Sequence, residues 1–172
     1  MNLNITELNA LPNKEAEQAF LQCCTASCWV RAMVDNRPFT TLKNLQALAL
    51  QHWTDMAEKD FLEAFEGHPK IGDLNSLRTK YANTKALASG EQGAVNSANE
   101  LTLKALTEGN RRYETKNGFI FIVCATGKNA DEMLTLLTSR LKNDRATELK
   151  IAAEQQSLIT AIRITKLLKT EY

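Results

Sequence analysis

Residues 57–69, AEKDFLEAFEGHP, combine an amphipathic helix with an abrupt end. Apolar residues recur there at the three- and four-residue spacing of one helix face, at Phe61, Leu62 and Phe65. Gly67 follows, and Pro69 comes two residues later, an order that is typical of a helix ending at the glycine. Because a proline disfavours helical geometry in the residue before it, His68 is predicted to leave the helix in an extended conformation.

The same helical spacing dominates the rest of the chain, which has only 7 Gly and 3 Pro to interrupt it. Further helices are predicted over residues 14–34, 41–50 and 74–88, from Ser89 to about 113, from Asn129 to 141, and over about 146–169. The last of these is predicted to present one face made of Ala152, Gln155, Ile159, Ile162 and Lys166. At Ser89 and Asn129 a Gln or Glu three residues later completes the pattern of a capping box.

Residues 118–125, GFIFIVCA, are the exception to this helical pattern. They are aromatic and β-branched, which favours extended backbone, but no second segment of this kind is present to form a sheet with them. With no repeat or linker in the sequence, the predicted fold is all-α. It is a single-domain helical bundle over residues 1–172, with one short, buried, extended segment at about 118–125.

Charge and composition exclude several classes of protein. Lys and Arg total 21 against 20 for Asp and Glu, so there is no electrostatic case for nucleic acid or a membrane as the main partner. No apolar run approaches the ~18–20 residues that span a bilayer. No signal peptide or peroxisomal address is evident, and four cysteines do not form a disulfide framework in a chain of this length. A cytoplasmic location is therefore expected.

The two histidines of the chain differ in context. His52 lies mid-helix beside Trp53, which is typical of a surface or core-edge position. His68 stands at a rigid helix exit, and its pKa near neutrality suits acid–base chemistry. The competing interpretation of His68 is a loop histidine with an ordinary hydrogen-bond partner.

Glu91, Gln92 and Arg163 are the other candidates. Gln92 can close a capping box and Glu91 can complement a helix dipole without any activity, although a helix start is also a natural anion site. Arg163 borders an apolar stripe and needs an anionic partner, which is either an internal carboxylate or an anionic substrate.

The sequence indicates neither metal nor cofactor. Cys23, Cys24 and Cys28 fall within the helix predicted over residues 14–34 and are interpreted as small buried hydrophobic residues. No further ligand stands at zinc-finger spacing, and no glycine-rich nucleotide loop or zinc-hydrolase motif occurs.

Together, three segments carry a family resemblance: FEGHPKIGD at 65–73, SGEQGA at 89–94, and N-x-x-Y-x-x-K-x-GF-x-FI from Asn110 to Ile122. Arg140 and Arg163 follow them in the terminal helices. From about residue 5 to 168 the chain resembles 2-oxo-4-hydroxy-4-carboxy-5-ureidoimidazoline (OHCU) decarboxylases, which act in the conversion of uric acid to allantoin.

The resemblance implies a cofactor-free, all-helical homodimer that converts OHCU, a small molecule, into (S)-allantoin and CO2. It places the catalytic groups at His68, Glu91 and Arg163. It places the substrate-binding residues at Pro69, Ser89, Gln92, Ile122 and Val123. One departure concerns Ser89, because many relatives carry a serine at the position of Ala88, and Ser89 either replaces that contact or only caps the helix.

Two other functions are compatible with the residues alone. The first is a non-catalytic helical scaffold in which His68 and Arg163 are structural. The second is a cofactor-free enzyme acting on another ureido compound, such as 5-hydroxyisourate.

Overall fold

The computed structural model describes residues 3–68, 74–75, 77–78 and 92–168, with residues 92–99 described by their backbone alone. Within these ranges there is no β-strand, and eight helices have described bounds. They are α1 (Ile5–Ala10), α2 (Asn13–Leu21), α3 (Ser27–Asp35), α4 (Leu42–Thr54), α5 (Glu58–Glu66), α6 (Gln92–Asn117), α7 (Ala130–Arg140) and α8 (Arg145–Leu167). The predicted all-α class is confirmed.

The chain divides into two compact units. Unit 1 comprises residues 1–68 and 152–172, and unit 2 comprises residues 69–151. Helix α8 contributes to both, since its residues up to Ile151 belong to unit 2 and those from Ala152 onward belong to unit 1. The single domain predicted over residues 1–172 stays a prediction.

An aromatic cluster forms the core of unit 1. The ring of Phe20 packs edge-to-face against Trp29 and against Phe39, with centroids 6.0 Å apart in each pair. The indole N–H of Trp29 donates to the carbonyl oxygen of Ala49 at 3.0 Å and so joins α3 to α4. Burial of these rings supplies a large hydrophobic contribution, and the single polar atom of Trp29 is satisfied.

The prediction of one helix over residues 14–34 is wrong, because two separate helices are present, with a non-helical break between Leu21 and Ser27. Cys23 and Cys24 lie in the break and are buried, whereas Cys28 lies in the first turn of α3 and is exposed. The interpretation of the three cysteines as buried hydrophobic residues within one helix therefore holds only for the burial of the first two. The sequence of the break contains no glycine or proline that would have signalled it.

Helix ends elsewhere follow local rules. Asn129 and Glu132 form the predicted capping box at the start of α7, with each side chain accepting from the other residue's backbone N–H at 2.8–2.9 Å. Helix α6 begins at Gln92, close to the start predicted at Ser89, and extends to Asn117 rather than 113. Of the helix predicted over 74–88, residues 74–75 and 77–78 are helical and the rest lies outside the described residues.

In unit 2, helices α6 and α7 pack closely against each other at Gly109. A Cβ atom at this position would come within 2.6 Å of Leu137 Cδ2, so any other residue here would displace the buried Leu137 side chain. After α6 the chain turns at Gly118, whose φ of +78° favours glycine.

Residues 119–125 form no helix and pair with no strand in the described chain, as predicted. Phe119 and Ile122 are buried and their neighbours are half-buried. The rings of Phe119 and Phe121 pack edge-to-face on Tyr113, with centroids 5.9 and 5.2 Å from it. The segment is thus held by side-chain packing and not by a sheet.

Candidate active site

His68 is placed by the end of α5. Its backbone N–H donates to the carbonyl oxygen of Phe65 at 3.1 Å, and its side chain is half-buried. The hydroxyl of Thr25 donates to the carbonyl oxygen of Glu63 at 3.0 Å, in the last turn of the helix. The sequence correctly predicts His68 at a helix exit, and a contact from the break between α2 and α3 secures that exit.

Gly67 is required here for a reason that the sequence pattern did not suggest. Its φ is −69°, which any residue adopts, so the left-handed helix end typical of glycine is absent. A Cβ atom at Gly67 would instead lie 2.9 Å from the Cβ of Thr25 and closer still to its hydroxyl and methyl groups. Close packing on Thr25, and not backbone freedom, excludes a side chain at this position.

The imidazole of His68 is held by helix α8. Its Nε2 is hydrogen-bonded to Oε1 of Gln156, whose side chain is completely buried. The amide nitrogen of Gln156 in turn donates to Oγ1 of Thr160, one turn further along the helix, at 3.2 Å. His68, Gln156 and Thr160 therefore form a short polar chain inside unit 1.

Arg163 lies two turns after Gln156 on the same helix and is half-buried. Its Nη1 donates to the carbonyl oxygen of Cys23 at 3.2 Å. Within the described residues no carboxylate pairs with it. One edge of the guanidinium is thus anchored to the main chain. Its other N–H donors have no partner among the described residues and can bind an anionic or carbonyl group.

The electrostatic environment favours the neutral form of His68. Burial lowers the pKa of this histidine, the hydrogen bond to Gln156 acts in the opposite direction, and the positive charge of Arg163 lowers the pKa further. A neutral imidazole can accept a proton, so the environment suits a general base.

The thiols beside Arg163 are poor nucleophiles. Burial raises the pKa of Cys23 to about 12 and that of Cys24 to about 11. Both thiols therefore stay protonated at neutral pH. Among the described residues no group of three His, Cys, Asp or Glu side chains is arranged to hold a metal ion.

A cavity of about 310 Å³ lies between α4 and the unit 1 part of α8. Its walls consist of Gln46, Ala49, Leu50, Trp53, Ser157, Leu158, Thr160, Ala161 and Ile164. Neither His68 nor Arg163 lines it, and most of its residues are apolar. It does not have the charge that an anionic substrate needs.

The remaining predicted site residues are placed differently. Pro69, Ser89 and Glu91 lie outside the described residues, and Gln92 is described only as the first residue of α6. Of the predicted catalytic set, the structure brings His68 and Arg163 together in unit 1.

Ile122 and Val123 lie in unit 2, in the extended segment, where a buried polar cluster holds them. Arg140 donates to the carbonyl oxygen of Ile122 at 2.7 Å and to the carboxylate of Glu148 at 2.9 Å. The hydroxyl of Tyr113 donates to the same carboxylate, and burial raises the pKa of this phenol, which keeps it protonated. The tyrosine and arginine that carried the family resemblance are therefore structural supports of this segment.

Gln156 and Thr160 were missed by the sequence analysis because the buried face of α8 was predicted one residue out of register. The predicted face contained Gln155, Ile159 and Ile162, which are only half-buried, and Lys166, which is exposed. Of that face only Ala152 is buried. From Ala152 onward, the buried residues of α8 are Ala152, Ala153, Gln156, Thr160, Ile164 and Leu167. Gln156 and Thr160 are polar residues on this buried face. They could have indicated a buried hydrogen-bonded site, because buried polar groups need partners.

Comparison with known proteins identifies the family. The sequence pattern of the OHCU decarboxylase family matches residues 9–165, so the chain belongs to this family. The predicted family resemblance is confirmed.

The names of three relatives refer to uric acid degradation or to OHCU decarboxylase. The uric acid degradation bifunctional protein TTL of Arabidopsis thaliana is 33% identical over 151 residues, which are 88% of this chain and 47% of that protein. The uric acid degradation bifunctional protein of Bacillus sp. (strain TB-90) is 26% identical, over 83% of this chain and 28% of that protein. The OHCU decarboxylase of Amia calva is 24% identical, over 97% of this chain and 95% of that protein. The chain thus spans less than half of the two bifunctional relatives.

Two solved structures are similar as well. An OHCU decarboxylase crystallised in the presence of (S)-allantoin has a TM-score of 0.69 and 33% identity, with 86% of this chain and 95% of that chain covered. An (S)-allantoin synthase has a TM-score of 0.71 over 96% of this chain and 54% of that chain. At 18% identity the second likeness shows the fold alone. No helix in the described ranges has the length and apolar character needed to cross a membrane.

Proposed function

We propose that this chain is a decarboxylase that converts OHCU into (S)-allantoin and CO2 without a cofactor. The observation that carries the proposal is the family match over residues 9–165, combined with 33% identity to an OHCU decarboxylase crystallised with (S)-allantoin. Further support comes from His68 and Arg163, which are both half-buried, lie in the same unit and interact electrostatically.

The substrate itself supplies the electron sink for the reaction. In OHCU the carboxylate and a hydroxyl share one ring carbon, and the neighbouring carbon, which bears the ureido group, is double-bonded to a ring nitrogen. As CO2 leaves, the electron pair of the broken C–C bond forms a C=C bond, and the ring nitrogen takes up a proton. Loss of the hydroxyl proton and protonation of the ureido-bearing carbon then give allantoin. No external electron acceptor is needed.

His68 acts in this scheme as general base or acid at the hydroxyl group and the adjoining carboxylate. Its neutral form, which burial and Arg163 favour, is the form that can take the hydroxyl proton. Glu91 either orients and charge-stabilises the imidazole or delivers the proton to carbon on one face. Arg163 binds an anionic or carbonyl group of the substrate with the donors that Cys23 does not use.

The resemblance assigns the other substrate contacts to Pro69, Ser89, Gln92, Ile122 and Val123. The carbonyl oxygen of Ile122 already accepts a hydrogen bond from Arg140. We therefore expect the extended segment to contact the substrate through backbone N–H groups, with Gln92 bound to the ureido or ring amide. A homodimer and a cytoplasmic location are part of the same proposal, and light scattering on the purified chain tests the dimer.

The decisive experiment generates the substrate in place. Urate is fed to urate oxidase with and without 5-hydroxyisourate hydrolase, and circular dichroism follows the optical activity of the allantoin. Spontaneous decay gives racemic product, so optical activity reports the enzyme alone. His68→Ala and Glu91→Ala are each expected to lower the rate by about 10²–10⁴ while the helical spectrum stays unchanged.

The matched control is His52→Ala, which removes the other histidine of the chain and should keep full activity. Near-full activity of His68→Ala would contradict the assignment of the base. Acceleration of the 5-hydroxyisourate step in place of decarboxylation would show that the substrate is the preceding ureido compound.

A further inference from the structure

The contact between His68 and Gln156 determines which imidazole nitrogen is available for chemistry. Within the described residues, Gln156 provides the side-chain hydrogen bond of His68, through its Oε1 atom. The other end of the same amide, Nε2, donates to Thr160 Oγ1 at 3.2 Å. The side chain of Gln156 is completely buried, so water does not compete for either end.

A carbonyl oxygen carries no hydrogen and can only accept. The bond to Gln156 therefore requires the hydrogen of neutral His68 to be on Nε2. The lone pair of the ring is then on Nδ1, because a neutral imidazole has one donor nitrogen and one acceptor nitrogen. The nitrogen of the same amide donates to Thr160 Oγ1, so both ends of the Gln156 side chain have a partner.

We propose that Gln156 is a positioning residue that holds His68 in its Nε2–H tautomer, so that Nδ1 is the nitrogen that exchanges the proton with the substrate. The inference rests on the proposed function for its chemical consequence, and on the structure alone for the tautomer. Gln156 acts through His68 and is not expected to touch the substrate.

An amide differs from a carboxylate in this position. A carboxylate orients a histidine and also stabilises its protonated form, whereas an amide orients it without adding charge. The charged group that acts on His68 among the described residues is Arg163, on the same helix as Gln156, and it favours the neutral ring. The pairing therefore keeps His68 both oriented and ready to accept a proton.

The first test reads the tautomer directly and needs no substrate. Long-range ¹H–¹⁵N correlation NMR distinguishes a protonated ring nitrogen from one with a free lone pair, and His52→Ala leaves only one histidine to assign. At a pH well above its pKa, His68 should show a protonated Nε2 and an unprotonated Nδ1. A spectrum with the proton on Nδ1, or with both nitrogens averaged, would overturn the proposal.

Gln156→Leu removes both the acceptor and the donor at nearly constant volume. We expect averaging of the two His68 tautomers and a fall in kcat of about 10- to 100-fold, the effect expected when a catalytic group is misplaced, with KM within about twofold. Trp29→Phe is the matched control, because it also removes one buried hydrogen bond of unit 1 but leaves the chain from His68 to Thr160 intact. A higher KM at unchanged kcat in Gln156→Leu would show that Gln156 serves substrate binding.

Gln156→Glu keeps the acceptor oxygen and provides the test if the leucine variant does not fold. It should retain the Nε2–H tautomer and move the acidic limb of the kcat profile to higher pH, since a carboxylate favours imidazolium. An unmoved profile would contradict the proposal. Loss of the proposed function is distinguishable from loss of this inference, because a protein without decarboxylase activity can still show the predicted tautomer.

Discussion

Arg140 donates a hydrogen bond of 2.7 Å from Nη1 to the carbonyl oxygen of Ile122 and thereby ties the extended segment to α7. The same guanidinium bonds to the carboxylate of Glu148, which is 0% exposed, and its Cζ lies 4.6 Å from the centre of the Phe121 ring. The extended segment forms neither helix nor sheet. Arg140 holds it in place through a backbone carbonyl, a carboxylate and an aromatic ring.

Glu148→Ala should strongly destabilise the protein, because it leaves Arg140 charged and buried without its counterion. Removal of one partner of a buried ion pair typically costs about 3–5 kcal/mol. Urea unfolding followed by circular dichroism measures the free energy of unfolding. The control is Arg111→Ala, which breaks the fully exposed pair with Glu108 and should leave that free energy unchanged. A loss below about 1 kcal/mol in Glu148→Ala would contradict the importance assigned to the cluster.

Gly67→Ala should lower both stability and activity, since the added Cβ would collide with Thr25 and displace the exit of α5 at His68. Helix propensity alone predicts the opposite, because alanine is the better helix former. The double variant with Thr25→Ala should recover part of the loss, although one contact at the Cβ position, 2.9 Å, remains. Thermal unfolding and turnover are measured on wild type, the two single variants and the double variant. Independent, additive effects of the two changes would show that Gly67 and Thr25 are not coupled.

His68 should make the folded protein less stable in mild acid. Burial lowers its pKa in the folded state from the ordinary value of 6.5, while the unfolded chain titrates near that value. Below pH 6.5 the unfolded state therefore binds more protons than the folded state, and the free energy of unfolding decreases as the pH falls toward the folded pKa. Above pH 6.5 the contribution is constant.

The measurement compares wild type with His68→Asn at pH 7.5 and pH 5.5. Wild type should lose more stability between these two values than the variant does. NMR titration gives the pKa itself, and Arg163→Met should raise it because a positive charge is removed. A larger loss in the variant than in wild type would reverse the sign of the predicted shift.

Thiol labelling of the native protein should distinguish the cysteines. Cys28 is exposed and should react first, although burial and the neighbouring Asp60 raise its pKa. Cys124 is half-buried and should follow, whereas Cys23 and Cys24 should react only after denaturation. Mass spectrometry of tryptic peptides identifies the labelled residues, with Cys28→Ser as the control. In a continuous helix, Cys24 and Cys28 would share one face, so equal labelling of the two would contradict the break between α2 and α3.

The elements that the sequence predicted well are those with local determinants. The start of α7 at Asn129 depends on Glu132, three positions later. The end of α5 was predicted from the neighbouring Gly67 and Pro69, but the reason for glycine at position 67 is Thr25, which is distant in sequence. The break before Ser27 has no such signal. It is stabilised by Thr25, whose hydroxyl bonds to a carbonyl 38 positions away, and a pattern within one helix does not contain that information.

The residues of the candidate site also differ in whether the local sequence indicates them. His68 and Arg163 stand out because a histidine before a proline and an arginine on an apolar stripe are unusual in themselves. Gln156 does not stand out, because its role depends on His68, 88 positions earlier in the chain. The prediction of Glu91 as partner of His68 rests on the family resemblance, since Glu91 lies outside the described residues.

The anchor of Arg163 has a consequence for how the protein tolerates sequence change. Its hydrogen bond ends on the carbonyl oxygen of Cys23, a group that every amino acid supplies. Saturation mutagenesis should therefore find position 23 permissive for residues of cysteine's size, such as serine and alanine, and position 163 intolerant. The contact is encoded by the path of the chain and not by the identity of residue 23. It can thus persist in relatives that have no cysteine there.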